Sequence, residues 1–232
     1  MCGRLSVAAS SGVKRLIQQL NIQFWSEPLQ EGRFLRAASP ITIIREQQSQ
    51  RRAEKATWWL LLERTESSFK PSKYTSFNTR YDKLNVLRSA GFEAFRKTRC
   101  IIPASGFGET EYVNKKPIHY YDFEALEGEA IAFGGLYREW LHPLTGERAL
   151  SCSVITLPPH NKLKHIHSKA MPLMLPQGDE VMNMWLDSSL TDNELFNDLL
   201  KPNLPQDLIT YQIDKPSTHQ QISERILIPK DS

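Results

Sequence analysis

Seven short β-rich runs, at 41–45, 57–62, 99–102, 118–123, 130–137, 150–157 and 208–213, constrain this chain more than any other feature. Each is bounded by Pro, Gly, Asn or charged turn residues, which is how strands read in a sequence. Runs this short must pair with one another to satisfy their backbone groups. The alternation of strand and long helix that a parallel sheet needs is not visible, so the pattern predicts an α+β fold with mainly antiparallel pairing. Three helical segments break the pattern. Val13, Leu16, Ile17, Leu20 and Phe24 recur at helical spacing behind Ser10 and Ser11, predicting an amphipathic helix with a serine cap. Thr191 and Glu194 frame a capping box ahead of Leu195, Phe196, Leu199 and Leu200, which predicts a short helix there, and a further one is expected over 180–186. The polar segment 63–77, with Pro71, reads as a long surface loop. No repeat, low-complexity tract or linker divides the chain, and 232 residues suffice for one domain with a substantial core, 1–232.

Charge excludes little. Lys and Arg number 29 against 26 Asp and Glu, a net +3, so any basic groove must come from placement rather than excess. The cysteines, Cys2, Cys100 and Cys152, are odd in number and widely spaced, which points to a reducing compartment without disulfides. No basic-then-apolar leader and no run of about 18 apolar residues occurs. A soluble, cytoplasmic monomer is expected, with no membrane partner.

Four places carry chemistry. The first is Met1, Cys2, Gly3, Arg4. Removal of Met1 would leave a terminal cysteine, which carries an amine and a thiol two carbons apart. An aldehyde meeting that pair can form an imine and then a five-membered thiazolidine. The α-amine titrates near about 7.7–8.0, so part of it is nucleophilic at neutral pH. The second place is Phe77, Asn78, Thr79, Arg80. The third runs from Arg99 to Glu109, RCIIPASGFGE, as a strand ending in a glycine-punctuated turn. The fourth is Lys164, His165, Ile166, His167, shortly before Met171 and Pro172.

In this order, over roughly residues 1–215, the four motifs resemble the SRAP family, SOS-response-associated peptidase-like proteins that crosslink to abasic sites in single-stranded DNA. The family patterns are MCGR, N-A-R, R-C-[IL]-[IV]-P-A-x-G-[FY]-[YF]-E-W, and IH followed by R-M-P. The resemblance implies a single domain with a barrel-like antiparallel core and peripheral helices. It also implies a protein that loses Met1, by its own peptidase activity or to an aminopeptidase, and bonds covalently to DNA. By that resemblance Cys2 is the nucleophile, Asn78 bonds the sugar ring, Glu109 stands beside the amine and His167 assists ring opening. Arg4 and Arg80 line the DNA path, and one of Trp58 and Trp59 contacts bases. No cofactor or metal is implied, and the partner is single-stranded DNA bearing abasic sites.

The residue types suit those roles independently. A histidine can shuttle the proton that opens a hemiacetal, and a buried carboxylate can relay protons during imine formation. An asparagine holds a neutral ring by donating and accepting, and guanidinium groups bind phosphates bidentately. Each also has a plainer explanation. Glu109 and Asn78 are common turn residues, Arg80 can pair with Asp82, and adjacent tryptophans more often belong to a core. His165 and His167 have no third ligand that would make a metal site.

The chain departs from the pattern in places. Gly108 and Thr110 stand where the family has an aromatic and a Trp. Trp58 to Leu62 replace W-G-L-I-P-x-W, the spacing from His167 to Met171 is one residue longer, and Arg36 to Pro40 replace N-x-x-P. Two alternatives therefore stand beside covalent capture: a noncovalent single-strand binder, and a cysteine peptidase acting on other proteins.

Overall fold

The computed structural model describes residues 3–231. Met1 and Cys2 lie outside the described residues, and with them the position expected to carry the nucleophile. Among the described residues, five strands close into a barrel. Pro40–Gln47 and Gln50–Thr57 form a hairpin whose two turn residues, Gln48 and Ser49, both have positive φ. That backbone twist matches the flanking strands, which is why two-residue hairpins use it. Arg99–Ala104 pairs with Ile131–Leu141 and touches Pro40–Gln47 through Ile44 and Ile101, and Ile131–Leu141 pairs with Arg148–Leu157. A parallel bridge between Ser151 and Thr57 closes the ring. Every residue of Arg99–Ala104 is buried, because this strand has the barrel interior on one face and covering elements on the other.

A second, six-stranded sheet runs in the order Ile226–Ile228, Leu208–Ile213, Lys116–Ala125, Gly106–Val113, Arg4–Val7, Gly32–Arg36. The chain passes into it from the barrel at Ser105. There the backbone N–H and hydroxyl of Ser105 both donate to the Ser6 carbonyl, and the hydroxyl accepts from Ala8 N–H at 3.1 Å. Gly106 is required at this bend: a Cβ would sit 2.4 Å from the Phe123 carbonyl oxygen. This one transition converts a buried barrel strand into the strand that bears Glu109. The segment read from sequence as a glycine-punctuated turn is therefore a strand, Gly106–Val113.

The α+β expectation with antiparallel pairing and a barrel-like core holds. Helices are few: Ser11–Gln19, capped by the Ser10 hydroxyl on Val13 N–H, then Phe92–Lys97 and Asp179–Leu186. The first stops short of Phe24, which enters the two-residue strand Phe24–Trp25. At the capping box, Asp192 rather than Thr191 accepts the bond, from Glu194 N–H, and only a 3-10 turn over Asn193–Phe196 follows. The run at 57–62 is split. The strand ends at Thr57, and Trp58 turns into the core with 0% exposure. Within 63–77 a small pair of strands, Leu62–Arg64 and Phe69–Pro71, stands in place of a structureless loop. Among the described residues no helix is long and apolar enough to cross a membrane.

Candidate functional site

Strand alternation sorts Gly106–Val113 into two working faces. Phe107 points into the core, stacked in parallel on Phe123 with ring centres 4.6 Å apart and edge-on to Phe133. Glu109, two residues on, shares that face and is 2% exposed. Glu111 follows on the same face nearer the rim. His167 arrives from the turn at 160–168, which Leu163 and Ile166 anchor by burial and the bond from His167 N–H to the Leu163 carbonyl tightens. Its Nε2 stands 3.6 Å from Glu109 Oε2 and its Nδ1 3.2 Å from Glu111 Oε2. Glu111 in turn accepts from the Ser168 hydroxyl at 3.0 Å, tying the turn to the strand. The sequence reading did not single out Glu111, although the two-residue spacing from Glu109 carries the signal.

Burial sets the charge state. Enclosure pushes the Glu109 carboxyl up to about 7, against the opposing pull of the Arg4 guanidinium and with a further push from Glu111. The same enclosure holds the His167 imidazolium below its ordinary range, helped by Lys169 and opposed by Glu111. Near neutral pH the pair is thus a neutral imidazole beside a carboxyl group that is readily protonated and deprotonated. A group so poised exchanges protons in either direction at low cost.

The opposite face, Gly108 and Thr110, belongs to Arg4. Its guanidinium lies over Gly108, where a Cβ would come within 2.5 Å of Nε. It donates to Thr110 Oγ1 at 2.8 Å and to the carbonyls of Glu109 and Tyr121 at 3.1 and 3.4 Å. Asp122 Oδ1 is 3.7 Å away, and the rings of Phe34 and Tyr120 flank the cation. The small residue at 108 and the hydroxyl at 110 are therefore matched to an arginine folded into the wall. Arg4, expected along a DNA path, reaches the cavity only as part of that wall, at 7% exposure.

The wall borders an open cavity of about 830 Å³ that His167 also lines. Arg33, Arg36 and Lys169 supply exposed cations around it, and Phe34, Phe77 and Tyr112 supply ring surface. Gly3 also lines it, so the first described residue of the chain is at this cavity. Asn78 directly follows Phe77 on Asn78–Arg80, a strand paired in parallel with Arg148–Leu157.

The remaining expected contacts fall elsewhere. Arg80 is outside the cavity lining and clasps its own neighbour Asp82 at 2.7 and 3.0 Å. Trp58 donates its indole N–H to the Phe77 carbonyl at 2.8 Å within the core. Trp59 is half-buried, donates to the Ser72 carbonyl and lies tilted against Phe77. Both tryptophans thus support Phe77 from behind. Cys100 and Cys152 are fully buried, and burial raises both thiols far above the ordinary range, so neither is a nucleophile. Among the described residues, no three His, Cys, Asp or Glu side chains gather as a metal-ligand set.

Comparison with known proteins bears on this arrangement. The family model described as SOS response associated peptidase (SRAP) matches residues 1–217. The abasic site processing protein YoqW of Bacillus subtilis is 31% identical over 220 residues, covering 92% of each chain. YobE of the same organism, also an abasic site processing protein, is 31% identical over 222 residues, covering 92% of this chain and 94% of its own. In three dimensions the fold is similar to a crystal structure of a protein from Bacteroides thetaiotaomicron, with TM-score 0.70 and 23% identity over 92% of this chain and 93% of that one. A Bordetella bronchiseptica protein is similar at TM-score 0.68 and 19% identity, over 92% of this chain and all of its own.

Proposed function

The chain belongs to the SOS response associated peptidase (SRAP) family, and from that membership we propose that it captures abasic sites in single-stranded DNA through Cys2, once Met1 has been removed. One observation carries the reading above the others: a buried His167, 3.6 Å from the buried Glu109 carboxylate, lines a cavity bordered by cations and aromatic rings. That combination suits an anionic, base-bearing strand better than a protein substrate.

Each step has a residue suited to it. Arg36, Lys169 and Arg33 meet phosphates, and Phe34, Phe77 and Tyr112 offer faces on which bases stack. His167, a neutral imidazole, accepts the hydroxyl proton of the closed sugar while the ring oxygen gains one, which exposes the aldehyde. Asn78 holds the sugar hydroxyls. The Cys2 amine attacks the aldehyde carbon, and Glu109 supplies the proton with which the oxygen leaves as water. The Cys2 thiolate then adds to the imine carbon, the nitrogen takes up a proton, and the ring closes. Amine and thiol together lose one water to the aldehyde, and no redox change occurs. Removal of Met1 is a hydrolysis, and Glu109 and His167 are residue types able to exchange the protons it needs.

The direct test is incubation of the native-sequence protein with an abasic oligonucleotide, followed by denaturing electrophoresis. Wild type should give a heat-stable adduct. Cys2→Ala keeps an amine but no sulfur, so it should give an adduct only after borohydride. Equal absence of adduct from both proteins at every pH from mildly acidic to neutral would leave a noncovalent single-strand binder as the better description.

A further inference from the structure

One wall of the cavity is built by the chain's last turn. Leu208–Ile213 leads into residues 214–220, a closed loop in which Asp214 binds the Gln220 backbone and the Thr218 hydroxyl, and His219 N–H returns to the Lys215 carbonyl. The tip residues Pro216 and Ser217 line the cavity. Phe34 and Arg33 on Gly32–Arg36 line it beside them.

His219 joins the two. Its side chain is 9% exposed, and its Nε2 lies 2.5 Å from Asp122 Oδ2 and 2.7 Å from Arg33 Nη2. Its ring packs on Phe34 with centres 4.6 Å apart. The guanidiniums of Arg4 and Arg33 each lie 5.5 Å from the Phe34 ring centre. The backbone adds a second, independent sign. Phe34 and His219 both sit in the left-handed region, at φ 61° and 55°, where a side chain with a Cβ is strained. Two touching residues held there by their surroundings mark a place where the fold sets a geometry that neither would adopt alone.

We propose that His219 is a positioning residue for strand binding: by bonding Asp122 through Nε2 and backing Phe34, it fixes the 214–220 loop and the Phe34 ring as one rigid wall against which a base of single-stranded DNA stacks. This deepens the reading of the site as a single-strand groove and rests on it. His219 touches neither Glu109 nor His167 in any contact described above, so its effect falls on binding before chemistry. A preformed stacking face spares the strand the cost of ordering it, which is gained as affinity.

The test is a split between affinity and rate, read together with amide exchange. For His219→Ala, the concentration of intact, lesion-free oligonucleotide giving half-saturation should rise about tenfold, the worth of one well-made hydrogen bond with its packing. The adduct-forming rate at saturating abasic DNA should fall by less than about twofold. In the DNA-free protein, amides of 214–220 should exchange faster than in wild type while barrel amides do not. His219→Gln, whose amide nitrogen can reach the position of Nε2, should restore much of both. Should His219→Ala not fold, His219→Phe keeps the packing on Phe34 but loses the Asp122 bond and serves the same comparison. Unchanged affinity, weakened affinity with 214–220 exchange as slow as in wild type, or a loss confined to the saturating rate would each overturn the proposal. A wild-type protein that holds no single strand contradicts the proposed function, and the exchange measurement then decides the wall by itself.

Discussion

Replacing Glu109 by Gln should make this protein more stable, and only above mildly acidic pH. The carboxyl has an ordinary value of 4.5 and is pushed up to about 7 in the folded chain by burial. A carboxyl whose folded value is raised binds its proton more tightly folded than unfolded. Its penalty is therefore absent below pH 4.5, grows as pH rises between 4.5 and 7, and is complete above 7. The difference between those two values, at 1.36 kcal/mol for each tenfold change, corresponds to about 3 kcal/mol. Glutamine is isosteric and carries no charge to desolvate, so Glu109→Gln should recover about that much at pH 8 and almost nothing at pH 4.5. For a chain of this size each kcal/mol moves the melting temperature by about 2–4 °C, so the variant should melt roughly 6–12 °C higher at pH 8. Urea unfolding of both proteins at pH 4.5, 6 and 8 measures the whole curve. A variant less stable than wild type at pH 8, or a gain that is the same at all three values, would refute the reasoning. It would mean that Glu109 is ionised and well solvated, and not poised for proton transfer.

Gly108→Ala should cost about 1–3 kcal/mol in urea unfolding, because the new Cβ displaces the Arg4 guanidinium from buried acceptors; a neutral substitution would contradict the packing described for Arg4. Arg36→Ala should weaken binding to intact and abasic strands alike and lower the salt dependence by about 0.7 log units per log unit of salt, the signature of one lost phosphate contact. Arg80→Ala, at a residue already paired with Asp82 outside the cavity, should change that slope little. His167→Ala should slow adduct formation by about 10²–10⁴-fold at saturating DNA while leaving affinity for lesion-free strands near wild type. A matching loss of affinity would place His167 in strand binding.

Much of the fold could be read in advance because it rests on local signals. The Ser10 cap, the apolar spacing from Val13 to Leu20 and the short apolar runs are encoded within a few residues of one another. The barrel strands at 41–45, 99–102 and 150–157 appear where alternation and turn residues place them. What was misread is decided by distant partners. Gly106 and Gly108 look like turn residues, yet each is a glycine because another element lies where its Cβ would be, the Phe123 carbonyl in one case and the Arg4 guanidinium in the other. Trp58 and Trp59 form a conspicuous pair in the sequence, but their exposure depends on where Phe77 packs. In the site, Glu109 and His167 were named from their motifs and do meet in space. Arg33, Arg36 and Lys169 went unremarked as a group. Lys169 is more than a hundred residues from Arg33 and Arg36; the pairing of Arg4–Val7 with both Gly32–Arg36 and Gly106–Val113, and the bond from Ser168 to Glu111, bring the three round one cavity.

The central claim, that Cys2 closes a ring on the sugar aldehyde, is tested most directly by locating the bond. Adduct formed with an abasic oligonucleotide is digested with nuclease and protease, and the modified peptide is sequenced by tandem mass spectrometry. The account predicts a peptide that begins at Cys2, lacks Met1, and carries the sugar remnant with loss of one water. It also predicts that prior borohydride treatment leaves the mass unchanged, because a closed thiazolidine has no imine to reduce. A linkage on any lysine, a peptide that retains Met1, or an adduct that gains two hydrogens with borohydride would contradict it.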